Sequence, residues 1–224
     1  MARAPPSHIH ALLLTGILLL IPLLSGCLAP PQAPIPGEIR TYQGQHLSSI
    51  NDFHENSIKG PQYINSTTYR LHIDGLVTTP KTYTISDVID YHMHLTKVAT
   101  LNCVEGWSVT ILWEGVLVRD LINETAPLPG ATTVTMTAYD GYTSSYPLSY
   151  FINNSIILAY KMNNVTMPPE RGYPFELVAE GKWGYKWIKW VTEIEVSDDV
   201  GYRGFWERKG YSNNGDLNQS FYGG

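Results

Sequence analysis

At 224 residues, with 15 basic against 20 acidic side chains, the chain lacks the basic footprint that binding to nucleic-acid phosphate requires. Its two cysteines, Cys27 and Cys103, are too few to hold an iron–sulfur cluster, and no haem-attachment motif is present.

Residues 1–27 read as an export segment. Arg3 precedes an apolar run from Ala11 to Leu24 that is short of the about 20 residues of a membrane span and contains Gly16 and Pro22. Leu24-Ser25-Gly26-Cys27 then resembles a lipoprotein processing site, so lipidation of Cys27 is expected to tether the chain to the outer face of a membrane. An uncleaved anchor is the alternative, and it too leaves the remainder outside the cytoplasm. Arg3 is the only charged residue before Cys27, so loss of this segment leaves 14 basic and 20 acidic side chains, net −6. A Pro-rich linker over 28–45, beginning LAPPQAPIPG, is expected to lift the domain off the surface. Sequons at Asn65, Asn123, Asn153, Asn164 and Asn218 fit an exported surface.

The domain itself is placed at 46–198, with an aromatic tail over 199–224. Tyr69–Asp74 alternates Tyr69, Leu71 and Ile73 on one face, and Thr133–Tyr139 alternates Val134, Met136 and Ala138. Ile156–Tyr160 is a short apolar strand, and Lys186–Val196 is the longest expected strand, with Ile188, Trp190, Ile194 and Val196 facing one way. Helical signals are fewer: Ser86 as N-cap of Asp87–Tyr91, and a turn at Val118–Ile122. The fold class is therefore α+β, predominantly β.

Three places could carry chemistry. Cys103, in Leu101-Asn102-Cys103-Val104-Glu105-Gly106-Trp107-Ser108, would be an unpaired thiol in an oxidising compartment, either reactive or ligand-bearing, or else a small buried hydrophobe. Gly181–Trp190 interleaves Lys182, Lys186 and Lys189 with four aromatics. Lys182, Lys186 and nearby backbone N–H groups could hold an anion such as phosphate, with Gly184 allowing close backbone approach; a strand whose lysine stems cover aromatic surface is the plainer reading. His92 and His94 share a strand face as a weak candidate metal pair. P-loop, nucleophile-elbow and HExxH motifs are absent.

Cys103-Val104-Glu105-Gly106-Trp107-Ser108 followed by Trp113-Glu114-Gly115-Val116 resembles the cysteine segment of the oxidoreductase molybdopterin-binding domain, the sulfite-oxidase fold. Asp140-Gly141-Tyr142, Pro168–Pro174 and Gly184–Lys189 follow in that family's order, so the resemblance covers about Asn51 to Val196. It implies a molybdenum-molybdopterin cofactor with Cys103 as metal ligand and catalytic centre. The chain resembles in particular the bacterial periplasmic methionine-sulfoxide-reductase catalytic subunits. That likeness implies cofactor contacts at Asn51, His54 (where those relatives have Tyr) and Glu55, and a grip on the pterin phosphate by Gly184, Tyr185 and Lys186. Where the pattern has an Arg, this chain has Glu176, and Arg171 is expected to supply the missing charge. Trp107, Tyr142 and Tyr185 are candidate walls of a substrate funnel. The implied function is two-electron oxygen-atom transfer on a small-molecule substrate, sulfoxide-reductase-like or sulfite-oxidase-like, with a separate electron carrier, haem- or quinone-linked. The alternative is a surface binding or assembly lipoprotein that keeps the fold without the cofactor.

Overall fold

A computed structural model describes residues 1–2 and 33–223. Pro34–Gly224 forms one compact unit, separate from Met1–Ala33. The apolar run, Cys27 and the start of the Pro-rich linker lie outside the described residues.

A small hairpin, β1 (Thr41–Tyr42) and β2 (Gln45–His46), opens the domain. Then come β3 (Leu71–Gly75), β4 (Lys81–Tyr83), α1 (Ile85–Tyr91), β5 (His94–Asn102), β6 (Ser108–Leu117) and α2 (Val118–Asn123). The second half holds β7 (Thr133–Ala138), β8 (Thr143–Pro147), α3 (Leu148–Asn153), β9 (Ile157–Met162), β10 (Val165–Thr166), β11 (Glu176–Val178) and β12 (Val191–Ser197). One sheet runs β10-β9-β6-β5 with β11 also on β9; the other runs β4-β3-β12-β7-β8, where β12 lies parallel to β3 and antiparallel to β7. The fold is thus α+β and mostly sheet. Alternation explains the core: Leu71, Ile73, Val134, Met136, Ile194 and Val196 are all fully buried, each worth about 1.5–3 kcal/mol against exposure.

Several elements differ from expectation for local reasons. The strand expected from Lys186 begins only at Val191, because Gly184–Lys186 turns into a 3-10 helix and Trp190 adopts φ +55°. The Trp190 indole N–H is fixed on the Pro169 carbonyl at 2.7 Å, which holds that bend. Thr84, not Ser86, caps α1 through a reciprocal pair with Asp87. The linker is shorter than its composition indicates: the Glu38 carboxylate accepts from Ile50 N–H at 2.7 Å and from Asn163 at 3.0 Å, so residues 38–45 already belong to the domain. Tail residues pack back as well. Phe205 N–H reaches the Thr143 carbonyl at 2.9 Å, and Trp183 N–H reaches that of Gly215 at 2.8 Å.

Candidate active site

The longest hairpin of the molecule, β5–β6, ends in the turn Cys103–Trp107. The register closes at Asn102 opposite Ser108; Cys103 N–H binds the Trp107 carbonyl at 2.9 Å, and Gly106 turns the chain at φ +88°. Cys103 is therefore presented at a strand end, and the residue is 5% exposed. Asn56 Nδ2 donates toward Sγ at 3.7 Å, while Sγ faces Glu105 Oε2 at 3.9 Å. Burial, reinforced by the Glu105 charge and opposed by the Glu105 and Val104 backbone, holds the thiol above its ordinary pKa. A bound cation would be needed to make it a thiolate at neutral pH.

Two clefts meet at Cys103. The outer one, about 740 Å³ with its open mouth, is walled by Tyr142, Tyr185, Trp187, Trp206 and Tyr211. The inner one, about 390 Å³, is bounded by His54, Trp107, Arg171, Glu176, Trp187 and Lys189. Trp206 and Tyr211 come from the tail, and their rings join an aromatic chain that includes Tyr185–Tyr211 at 5.1 Å and Trp206–Tyr211 at 5.2 Å.

His54 lies on the inner cleft with its ring 5.1 Å from that of Trp107, and Tyr142 and Tyr185 wall the outer one. Gly184 borders both. A Cβ there would stand 3.2 Å from the Asn102 carbonyl and 3.3 Å from Cys103 Cα, so this glycine lets its loop approach the cysteine turn. Arg171 lies over the Phe53 ring at 5.1 Å and donates to the Phe53 carbonyl at 3.3 Å. Glu55 stands behind the cleft and pairs with Lys189 at 3.2 Å. Burial opposes its ionisation, but the Ser57 hydroxyl and Lys189 together hold the carboxyl below its usual range.

Two expected cofactor contacts, Asn51 and Lys186, are not among the residues that line the clefts. Asn51 sits on a 3-10 turn (Ile50–Asp52) and is not among the residues bounding either cleft; Asn56, five residues on, meets the thiol instead. Lys186 is fully buried, and its ammonium is engaged by Glu207 at 2.6 Å and by the Ser145 and Asn213 carbonyls at 2.7 and 2.9 Å. Its three hydrogens are taken by Glu207 and Asn213 of the tail and by Ser145 of β8, leaving none for a phosphate. The lysine at the clefts is Lys189. His92 and His94 diverge: His92 turns to Val88 and Glu124, His94 to Ile89 and Tyr160.

Glu176 is the unusual group. It is 2% exposed and lines the inner cleft, yet among the described residues its carboxyl makes neither a hydrogen bond nor an ion pair. Burial pushes its pKa up to about 8, against the through-space pull of Lys189 and Arg171. Sequence reasoning marked the residue as a departure but could not foresee its isolation. It missed Asn56, which lies in no motif, and named Lys189 among the interleaved lysines without giving it a role; for Trp206 the density of tail aromatics was the signal.

The family model for the oxidoreductase molybdopterin binding domain matches residues 58–206. The chain belongs to this family. Its similarity to the uncharacterized oxidoreductase YuiH of Bacillus subtilis (strain 168) is 32% identity over 72% of the chain and 82% of that protein. With the protein-methionine-sulfoxide reductase catalytic subunit MsrP of Gluconobacter oxydans (strain 621H) it shares 26% identity over 74% of the chain, spanning 60% of that relative. Among solved structures, sulfane dehydrogenase SoxCD from Paracoccus pantotrophus superposes with a TM-score of 0.60 at 23% identity, covering 67% of this chain and 42% of that one. The molecule is thus an oxidoreductase domain whose cofactor is molybdenum-molybdopterin. Its clefts fit that group: a soft sulfur donor stands at their junction, aromatic faces line the outer one, and an unpartnered acid beside a guanidinium lines the inner one.

Proposed function

We propose that the chain is an extracytoplasmic oxygen-atom-transfer oxidoreductase, with Cys103 as the protein's ligand to molybdenum and sulfoxides as the substrate class. One observation carries this reading: of the residues that line both clefts, among them Asn56, Gly184, Trp187 and Lys189, Cys103 is the one that offers a soft sulfur donor. Reduction of a sulfoxide takes two electrons and two protons and yields a thioether and water; when bound, the molybdenum group supplies the two-electron step.

The chain's own residues bind, orient and exclude. Cys103 fixes the metal from a hairpin turn whose backbone is already closed. Asn56 N–H is directed at the sulfur and would temper its donor strength, the usual role of a hydrogen bond behind a metal ligand. Tyr142, Tyr185, Trp206 and Tyr211 form an apolar funnel suited to a thioether side chain, while Gly184, Arg171, His54 and Lys189 surround the deeper portion assigned to the pterin. Glu55 holds Lys189 in place. Cys27 supplies the tether, consistent with the Pro-rich stretch that follows it. Among the described residues no helix is long and apolar enough to cross a membrane. Electrons are exchanged with a separate haem- or quinone-linked carrier, since the two cysteines leave no site for a cluster.

Family membership favours this reading over a cofactor-free binding lipoprotein. The test is turnover of methyl-aryl sulfoxide with a reduced dye as donor, using the loaded full chain and Cys103→Ala. Expected are turnover in the first and a loss of at least about a thousandfold in the second. Loaded chain that oxidises sulfite but leaves sulfoxides untouched would reverse the direction assigned here.

A further inference from the structure

Glu176 is a buried acid with neither a hydrogen bond nor an ion pair among the described residues. Glu176 begins β11, paired with Ala159 of β9, so its backbone is fixed in the sheet. Gly172 sets its direction: at φ +115°, any Cβ there would lie 3.0 Å from Glu176 Cβ and 3.3 Å from Lys189 Cβ, and its absence lets both side chains stand together. The carboxyl enters the inner cleft beside Arg171 and Lys189. Lys189 nevertheless pairs with Glu55, and Arg171 with the Phe53 carbonyl and ring. Burying a carboxyl without hydrogen bonds is costly, and folds normally provide a partner. Here the neighbours that could have done so are turned elsewhere, and the acid faces space.

What fills that space must offer hydrogen-bond donors. An anion such as the cofactor's phosphate would be repelled by Glu176, whereas the pyrimidine edge of a pterin carries a ring N–H and an amino group side by side, matching two carboxylate oxygens. We propose that Glu176 is the pterin-reading residue of this protein, accepting paired hydrogen bonds from the amino-pyrimidine edge, with Arg171 and Lys189 flanking it. Glu176 then binds the cofactor and does not touch the reacting atoms. The inference rests on assigning the clefts to the cofactor, which the wild-type chain tests by itself.

The experiment compares the full wild-type chain with Glu176→Gln, which keeps the shape but sets an amide N–H₂ against the pterin's donors. Each is produced in cells that make the molybdenum cofactor and in cells that do not. Pterin per chain is read after dialysis from the fluorescence of its acid-oxidised product, and the cofactor-free chains are melted at pH 8. Expected is a ten- to hundredfold weaker retention of pterin in E176Q, about what loss of hydrogen bonds to a charged acceptor costs, with a cofactor-free melting temperature equal to or above wild type. Equal or greater pterin in E176Q overturns the proposal, since the carboxyl is then idle or opposes an anion. A lower cofactor-free melting temperature also overturns it, because Glu176 would be serving the fold. Wild-type chain that carries no pterin at all would instead sink the cleft assignment.

Discussion

Glu176 and Glu207 are both 2% exposed, and each lies in a segment that contributes to the clefts around Cys103. Glu207 Oε1 receives the Lys186 ammonium at 2.6 Å and the Ser144 hydroxyl at 3.0 Å, while its Oε2 has no hydrogen bond among the described residues and lies so near Gly204 that a Cβ there would stand 2.6 Å from it. Glu176 receives no hydrogen bond among the described residues. The same burial thus produces a structural rivet in one place and an open valence in the other. The rivet ties the tail to the loop after β11 and sets Trp206 and Tyr211 against the outer cleft; the open valence marks the inner one. Lysines divide likewise: Lys186 belongs to the fold and Lys189 to the site, three residues apart.

The comparison can be broken most forcefully at the rivet. Lys186→Met leaves Glu207 buried and uncompensated and should destabilise the domain by about 3–5 kcal/mol in urea unfolding. The double change with Glu207→Leu should recover most of that loss, because a buried pair contributes little net stability relative to apolar residues of similar volume. A double variant as unstable as the single one would show that the Ser145 and Asn213 contacts, not the ion pair, hold the tail.

Glu176 sharpens the contrast through pH. Its folded-state pKa, raised to about 8 from an ordinary carboxylate value, makes its contribution to stability fully present at acid pH and lost as pH rises toward 8. The groups acting on it are Lys189, Arg171 and Glu55. Cofactor-free wild type should therefore fall behind E176Q in melting temperature between pH 5 and about 8, and parallel curves would contradict the isolation of this carboxyl. Glu55 has the opposite sign: held below its usual range, it adds stability above that range that is lost as pH falls through it. Being half-exposed, its pair with Lys189 should contribute no more than about 1 kcal/mol, so Glu55→Gln should change the urea midpoint only slightly.

Much of this was legible in the residues. Alternation located β3, β7 and β9 because each buries one face or both along a short, regular strand. It failed from Lys186 to Trp190, where a tertiary hydrogen bond from the Trp190 indole bends the backbone and no local pattern records it. The β5–β6 hairpin escaped notice because its register is set by strand partners rather than by a tight turn signal. Within the site, Cys103 was evident from being an unpaired thiol in a recognisable motif. The engagement of Lys186 was not legible because its partner, Glu207, lies 21 residues away in a segment treated as an appendage. Asn56 and Asn51 could not be separated by sequence, since the chain between them has neither helical nor strand periodicity to fix its direction.

Cys103 is proposed to ligate molybdenum where the two clefts meet. X-ray absorption at the molybdenum edge of the loaded wild type and of Cys103→Ser tests it directly. Expected is one fewer sulfur neighbour around the metal in the variant; an unchanged sulfur shell in a variant that still holds its molybdenum would contradict the assignment.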